Sequence, residues 1–147
     1  MATVIHLGVV DLPYVEGGMT TGRLARILED NYGVMNAFTR RRKTAIQAAI
    51  VDSLEGAVES LAMGRNDVRP YAQACSAIAG EFKDFLAKSE IEQMGIAGVP
   101  TLAAIMGVSH RFKGKKNKGK GRKGVGVRRP SFIDTGTYSA SAIAWVD

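Results

Sequence analysis

Residues 37–63 read AFTRRRKTAIQAAIVDSLEGAVESLAM, and residues 67–95 read DVRPYAQACSAIAGEFKDFLAKSEIEQMG. In the first stretch Ile46, Ile50, Leu54, Ala57, Val58 and Leu61 step by threes and fours, the spacing that lines one face of a helix. Asn36 is placed to cap its start. Gly64 is placed to end it, because Gly enters the left-handed region without steric cost. In the second stretch Tyr71, Cys75, Ile78, Phe82 and Phe85 form another stripe that runs toward Gly95. Asp67 is its expected cap, and Pro70 is tolerated in a first turn, where amide donors lack partners anyway. Two amphipathic helices joined by a short turn must each bury an apolar face, so the pair predicts a helical hairpin.

Outward from the hairpin the signals are shorter. Residues 3–10, TVIHLGVV, are rich in β-branched side chains and suit a strand, which Asp11, Pro13 and the pair Gly17-Gly18 then stop. Leu24, Ile27 and Leu28 recur at helical spacing between Thr20 and Asp30, behind Thr20 and Thr21 as candidate caps, until Asn31-Tyr32-Gly33 interrupts. On the other side, Gly98 and Pro100 open an apolar segment of one or two helical turns, Pro100–Met106, that Gly107 closes. The last stretch, Tyr138–Val146, fits a strand or a short helix. The expected architecture is α+β, a single domain over residues 1–147. A helical hairpin with a short extra helix packs on a small β-sheet of N- and C-terminal strands, with a long basic loop near the C-terminus.

The chain has 147 residues, 20 Lys+Arg against 14 Asp+Glu, and is 46% hydrophobic, enough to bury a core. No apolar run approaches the length of a membrane span, and the N-terminus lacks the basic region of a signal peptide, so the mature protein is expected in the cytoplasm. The single Cys75 excludes a disulfide within the chain and a multi-cysteine metal site. The formal charge of +6 is unevenly placed. Residues 111–129, RFKGKKNKGKGRKGVGVRR, hold Arg111, Lys113, Lys115, Lys116, Lys118, Lys120, Arg122, Lys123, Arg128 and Arg129, with no acidic residue. The remainder holds ten basic and fourteen acidic residues, a net of −4. Five glycines among ten cations cannot pack a core, so this loop is expected to be flexible when unbound. Its electrostatic partner is either a nucleic acid, held by counterion release, or an acidic protein surface. Phe112 is its one aromatic residue, which disfavours stacking on single-stranded bases. A second cluster, Arg40-Arg41-Arg42-Lys43, would sit near the start of the long helix, where cations oppose the helix dipole; an acidic partner, a phosphate backbone or a solvated face fits it.

Catalytic patterns are weak. Asp134-Thr135-Gly136 matches the aspartic-protease triplet, but that chemistry needs two carboxylates and a substrate cleft, and only 11 residues follow Gly136. An Asx-type turn is the simpler reading, with Asp134 or Thr135 bonding nearby amides and Gly136 supplying a permissive dihedral. Gly17, Gly18 and Gly22 are followed by Arg23-Leu24 and not by the Lys-Ser/Thr that a phosphate loop requires. His6 and His110 have no Cys or carboxylate at ligand spacing, and Cys75 lies on an apolar stripe as a buried thiol would. The expectation is a non-enzyme with no cofactor, metal or small-molecule substrate.

The segment Gly98-Val-Pro-Thr-Leu-Ala-Ala, the basic glycine-containing loop, and Arg129-Pro130-Ser-Phe-Ile-Asp134-Thr135-Gly136-Thr-Tyr138-Ser139-Ala-Ser141 followed by a short closing strand resemble the neck and tail-completion proteins of long-tailed bacteriophages. The resemblance covers about a quarter of the chain. It implies a structural virion protein of the head–tail junction (neck, tail completion or tail terminator) that forms a homo-oligomeric ring and is assembled in the host cytoplasm. Its implied partners are further copies of itself, adjacent phage connector or tail proteins, and double-stranded DNA in the ring lumen, with no membrane. The basic loop would face that DNA or a neighbouring ring, and Pro130, Asp134, Thr135 and Gly136 would form the turn that returns it to the body. A small nucleic-acid-binding protein, ribosome-associated or DNA-packaging, is the alternative that the charge alone supports.

Overall fold

The computed structural model describes residues 3–14, 18–107, 126–133 and 135–147. Among them it is an α+β fold: β1 (Ile5–Val9), α1 (Thr21–Tyr32), α2 (Val34–Arg41), α3 (Lys43–Ala62), α4 (Ala72–Ala87), a 3-10 turn at Glu90–Met94, α5 (Leu102–Ile105), α6 (Thr137–Ala140) and β2 (Ala142–Val146). The two strands pair antiparallel, Ile5 opposite Val146 through Val9 opposite Ala142, so the sheet joins segments far apart in the chain. Ile5, Leu7, Val9, Ala142 and Ala144 face the core, following the two-residue alternation of a strand. His6 and Trp145 lie on the other face, with their rings stacked at 5.3 Å, and His6 Nε2 lies 2.7 Å from Asp147 Oδ2. The final stretch is therefore divided between the two alternatives, a helical turn and then a strand.

The hairpin is present, formed by α3 and α4. Ser53 Oγ donates to Pro70 O at 2.7 Å and accepts from Ala74 N at 3.1 Å, so the middle of α3 meets the start of α4. At the other end Arg42 meets Glu81, so the two helices run antiparallel. The α4 stripe is buried as expected from Cys75 on: Cys75, Ile78, Phe82 and Phe85 are in the core, with Phe38 and Tyr138 packed edge-on against Phe82, while Tyr71 precedes the helix and is half-buried. Burial pushes the Cys75 thiol up from its ordinary pKa. Gly64 ends α3 as expected: its N–H reaches Leu61 O at 2.9 Å and the Arg65 N–H reaches Ser60 O at 3.0 Å, the double bond pattern of a Schellman cap. Thr20 caps α1 by accepting from Arg23 N at 3.2 Å.

Five expectations are corrected. The helix foreseen over 37–63 begins earlier, at Val34, and breaks at Arg42 into α2 and α3. Asn36 is not a cap but lies inside α2, whose start is capped from a distance by Glu29, which accepts from Met35 N at 2.7 Å and Asn36 N at 3.3 Å. Asp67 does not cap α4; it lies upstream of the helix, 3.6 Å from the Arg65 guanidinium, and α4 gives way at Lys88 to the 3-10 turn well before Gly95. The α3 stripe is only partly buried: α4 covers Ser53 and Ala57, while Leu54, Val58 and Leu61 stay exposed.

The break at Arg42 coincides with ion pairs to residues far along the chain. Arg42 Nε donates to Glu90 Oε2 at 3.0 Å, Nη1 donates to Glu81 Oε2 at 2.7 Å, and Nη2 bonds Glu90 Oε1. One planar fork thus ties the α2–α3 junction to α4 and to the 3-10 turn, a bidentate geometry that an ammonium cannot reproduce. The Glu90 carboxylate, hydrogen bonded to Arg42, raises the guanidinium pKa further, against the cost of partial burial. The Arg40–Lys43 cluster straddles the junction, so Arg42 and Lys43 do stand at the start of the 20-residue α3. Arg40 and Arg41 lie in the last turn of α2, where the dipole favours cations. Arg42→Met is expected to lower the unfolding free energy by about 2 kcal/mol, because it leaves two partly buried carboxylates without their donor. Arg42→Lys should recover less than half of that loss in urea denaturation at neutral pH.

Candidate functional site at the root of the basic segment

Of the residues expected to contact DNA or a partner, Arg111, Lys113, Lys115, Lys116, Lys118, Lys120, Arg122 and Lys123 lie outside the described residues, as does Asp134 of the turn. Arg128, Arg129, Pro130, Thr135 and Gly136 are described, and with the residues before 108 they form the base from which the segment departs. That base starts at α5, where Thr101 Oγ1 accepts from Ala104 N at 3.2 Å and caps the turn. Gly107 follows with φ of 61°, in the left-handed region.

The returning chain lies directly against it. Gly126 N donates to Met106 O at 2.9 Å, and Arg129 N donates to Ala104 O at 3.1 Å. A Cβ on Gly107 would sit 2.3 Å from Val127 O, and one on Gly126 would sit 2.4 Å from Gly107 O. No side chain fits at either position, so both must be glycine for the two backbones to meet. The result is a neck that holds Gly107 and Gly126 side by side.

Beyond the neck, Glu92 anchors the returning strand of chain. Its Oε1 accepts from Ser131 N at 3.0 Å and from Ser131 Oγ at 2.8 Å, and its Oε2 accepts from Arg128 Nη2 at 2.7 Å. Ser131 is fully buried and its Oγ accepts in turn from Thr101 N at 3.3 Å, which links the anchor to the α5 cap. Burial by itself would push the Glu92 carboxyl up. The Ser131 hydroxyl, the Arg128 guanidinium and the Ser131 amide outweigh that and hold it below the ordinary glutamate value. A polar cleft of about 530 Å³, lined by Glu92, Gln93, Pro100, Arg128, Arg129 and Pro130, opens beside this anchor.

Arg128, expected to contact a partner, thus spends one arm on Glu92 while most of its side chain stays exposed. On either side of Asp134, Ile133 N reaches Pro130 O at 3.4 Å, and Gly136 takes the left-handed conformation (φ 77°) just before α6. Thr135 Oγ1 and Thr137 Oγ1 lie 2.9 Å apart across it. Phe132 also has a positive φ, 68°, a strained choice for an aromatic residue that places its ring 5.1 Å from that of Tyr32. Behind the turn Leu24, Leu28, Phe132, Ile133 and Tyr138 line an apolar cavity of about 490 Å³. The buried Tyr138 hydroxyl has no hydrogen-bond partner among the described residues, and burial pushes its pKa above the ordinary tyrosine value.

Among the described residues no group of three or more His, Cys, Asp or Glu side chains is placed to hold a metal ion, and no helix is long and apolar enough to cross a membrane. Glu92 was not singled out by the sequence. Its one signal is a carboxylate between Ile91 and Met94, two residues that turn toward the core. No protein-family model, curated protein or solved structure matches the chain.

Proposed function

We propose that the protein is a non-enzymatic structural subunit of a bacteriophage head–tail junction, a neck, tail-completion or tail-terminator protein that assembles into a ring and turns its basic segment toward DNA or a neighbouring ring. The observation that carries this reading is the neck. A segment with eight cations between Arg111 and Lys123 leaves and re-enters a net acidic body through two glycines in contact. Such a base holds a concentrated charge at one place on the subunit surface, and a ring would repeat it around its lumen. The turn residues Pro130, Thr135 and Gly136 and the Glu92 anchor serve as the structural support of that base, and Asp134 belongs to the same turn in sequence.

Negative-stain images and light scattering of the purified protein, alone and with a connector or tail partner, test the assembly. Rings are expected; a strict monomer that binds duplex DNA tightly and joins no virion particle would instead support a small nucleic-acid-binding protein. Changing Lys113, Lys115, Lys116, Lys118, Lys120, Arg122 and Lys123 together to Gln tests the segment. Loss of most infectious particles or of DNA retention is expected, with the melting temperature of the body within a few degrees of the original. Unchanged particle yield and DNA retention would remove the segment from the proposed role.

A further inference from the structure

The helix α3 carries more apolar surface than the rest of the described structure covers. One stripe, centred on Ser53 and Ala57, faces α4. A second, Val51, Leu54, Val58 and Leu61, is turned about a third of a turn away from it. These four side chains are 51%, 36%, 64% and 56% exposed. A surface helix normally presents charged and polar residues on its outer side, and here Asp52, Glu55 and Glu59 occupy only one flank of that side, with Glu55 bordering the stripe.

We infer that this second stripe is an interface between two copies of the chain, which pair α3 against α3 in antiparallel fashion about a two-fold axis. The spacing of the stripe is three, four, three, the seam of a two-stranded coiled coil, and it reads the same in both directions. An antiparallel pair with its axis level with Gly56 sets Val51 against Leu61 of the partner subunit and Leu54 against Val58 of the partner subunit. Each layer then holds one β-branched and one larger side chain, so the layers have equal volume. A parallel pair would also set Arg40, Arg41 and Lys43 of both copies side by side, whereas the antiparallel pair keeps them at opposite ends. The size is adequate. The four side chains expose roughly 350 Å² per copy, and with their flanking residues as a rim a pair covers about 1,000 Å² in total, where specific interfaces begin. The contact is independent of the ring proposed above, which needs a second, heterologous surface.

The antiparallel register has an electrostatic signature. It brings Glu55 of each copy beside Glu55 of the partner subunit at the edge of the seam, so the pair works against a like-charge contact. Sedimentation of the full chain up to about 100 µM is expected to show a dimer. Val58→Glu should raise its dissociation constant at least about 100-fold with helicity and melting temperature preserved, because the side chain is exposed in the single copy. Glu55→Gln should lower it about threefold at low salt, a difference that disappears near 1 M salt. Mild oxidation should link copies of the double variant Val51→Cys/Leu61→Cys but not of either single variant. A wild-type chain that stays monomeric, a dimer that survives Val58→Glu, or equal cross-linking by Leu61→Cys alone would overturn the inference. Rings that persist in Val58→Glu while the pairing is lost would support it and leave the ring intact; dimers without rings would count against the ring alone.

Discussion

Phe82→Ala is expected to lower the unfolding free energy by about 4 kcal/mol, within the usual range for removing a large buried ring. Phe82 is fully buried and is the side chain on which three elements converge. Its ring meets Phe38 of α2 at 5.2 Å and Tyr138 of α6 at 6.2 Å, both edge-on. Such contacts add about 0.5–1.5 kcal/mol each beyond the area they bury. Removing the ring leaves a void between α2, α4 and α6 that rigid neighbours fill only in part. For a chain of this size the loss corresponds to roughly 10–15 °C in melting temperature. Phe82→Leu keeps most of the volume and should cost about 1–2 kcal/mol. Calorimetry of the two variants checks the ratio; equal losses would mean that the edge-on ring contacts, and not the volume, dominate at this position.

The second large effect lies at Glu92. Glu92→Ala is expected to cost about 3 kcal/mol, because the buried Ser131 amide and hydroxyl both lose their acceptor and Arg128 loses its carboxylate. Glu92→Gln keeps one acceptor oxygen but not the charge, and should cost about half as much. The pH dependence follows from the lowered pKa of the folded carboxyl. A depressed carboxyl contributes stability above its unfolded value, about 4.3, and loses that contribution as the pH falls through the lower folded value. The gap between wild type and Glu92→Gln in urea midpoint should therefore be full near neutral pH and shrink steadily below about pH 4. A gap that stayed constant down to acid denaturation would show that the carboxylate charge contributes nothing there. Amide exchange at Gly126 and Arg129 should accelerate in Glu92→Ala before the rest of the fold opens, since both amides lie on the chain that Glu92 holds.

Much of the body was readable because its signals are local. The α4 stripe, the Thr20 cap, the Gly64 terminator and the Gly136 turn each depend on residues a few positions apart, and each is where the spacing placed it. The break at Arg42 was not readable, since its partners Glu81 and Glu90 lie 39 and 48 positions downstream. Periodicity also failed to say which side of α3 is covered. The helix carries two apolar stripes, and the buried one is centred on a serine and an alanine because α4 approaches closely there. At the site, Gly107 was legible as the end of a helical turn, but the need for glycine at 126 arises only when the two backbones meet. The charge of the basic segment was plain from composition, whereas the carboxylate that holds its base was one acid among fourteen.

The pairing of β1 with β2 also sets a clock on synthesis. His6 and Asp147 are 141 positions apart, so β1 leaves the ribosome long before its partner exists. At translation rates of 5–20 residues per second the first strand waits roughly 7–28 seconds for the second. The helices α1 to α4 have that interval in which to pack, and the core face of β1 must lie against them unpaired. Chains that stop before Ala142 carry the whole basic segment but lack the second strand of the sheet.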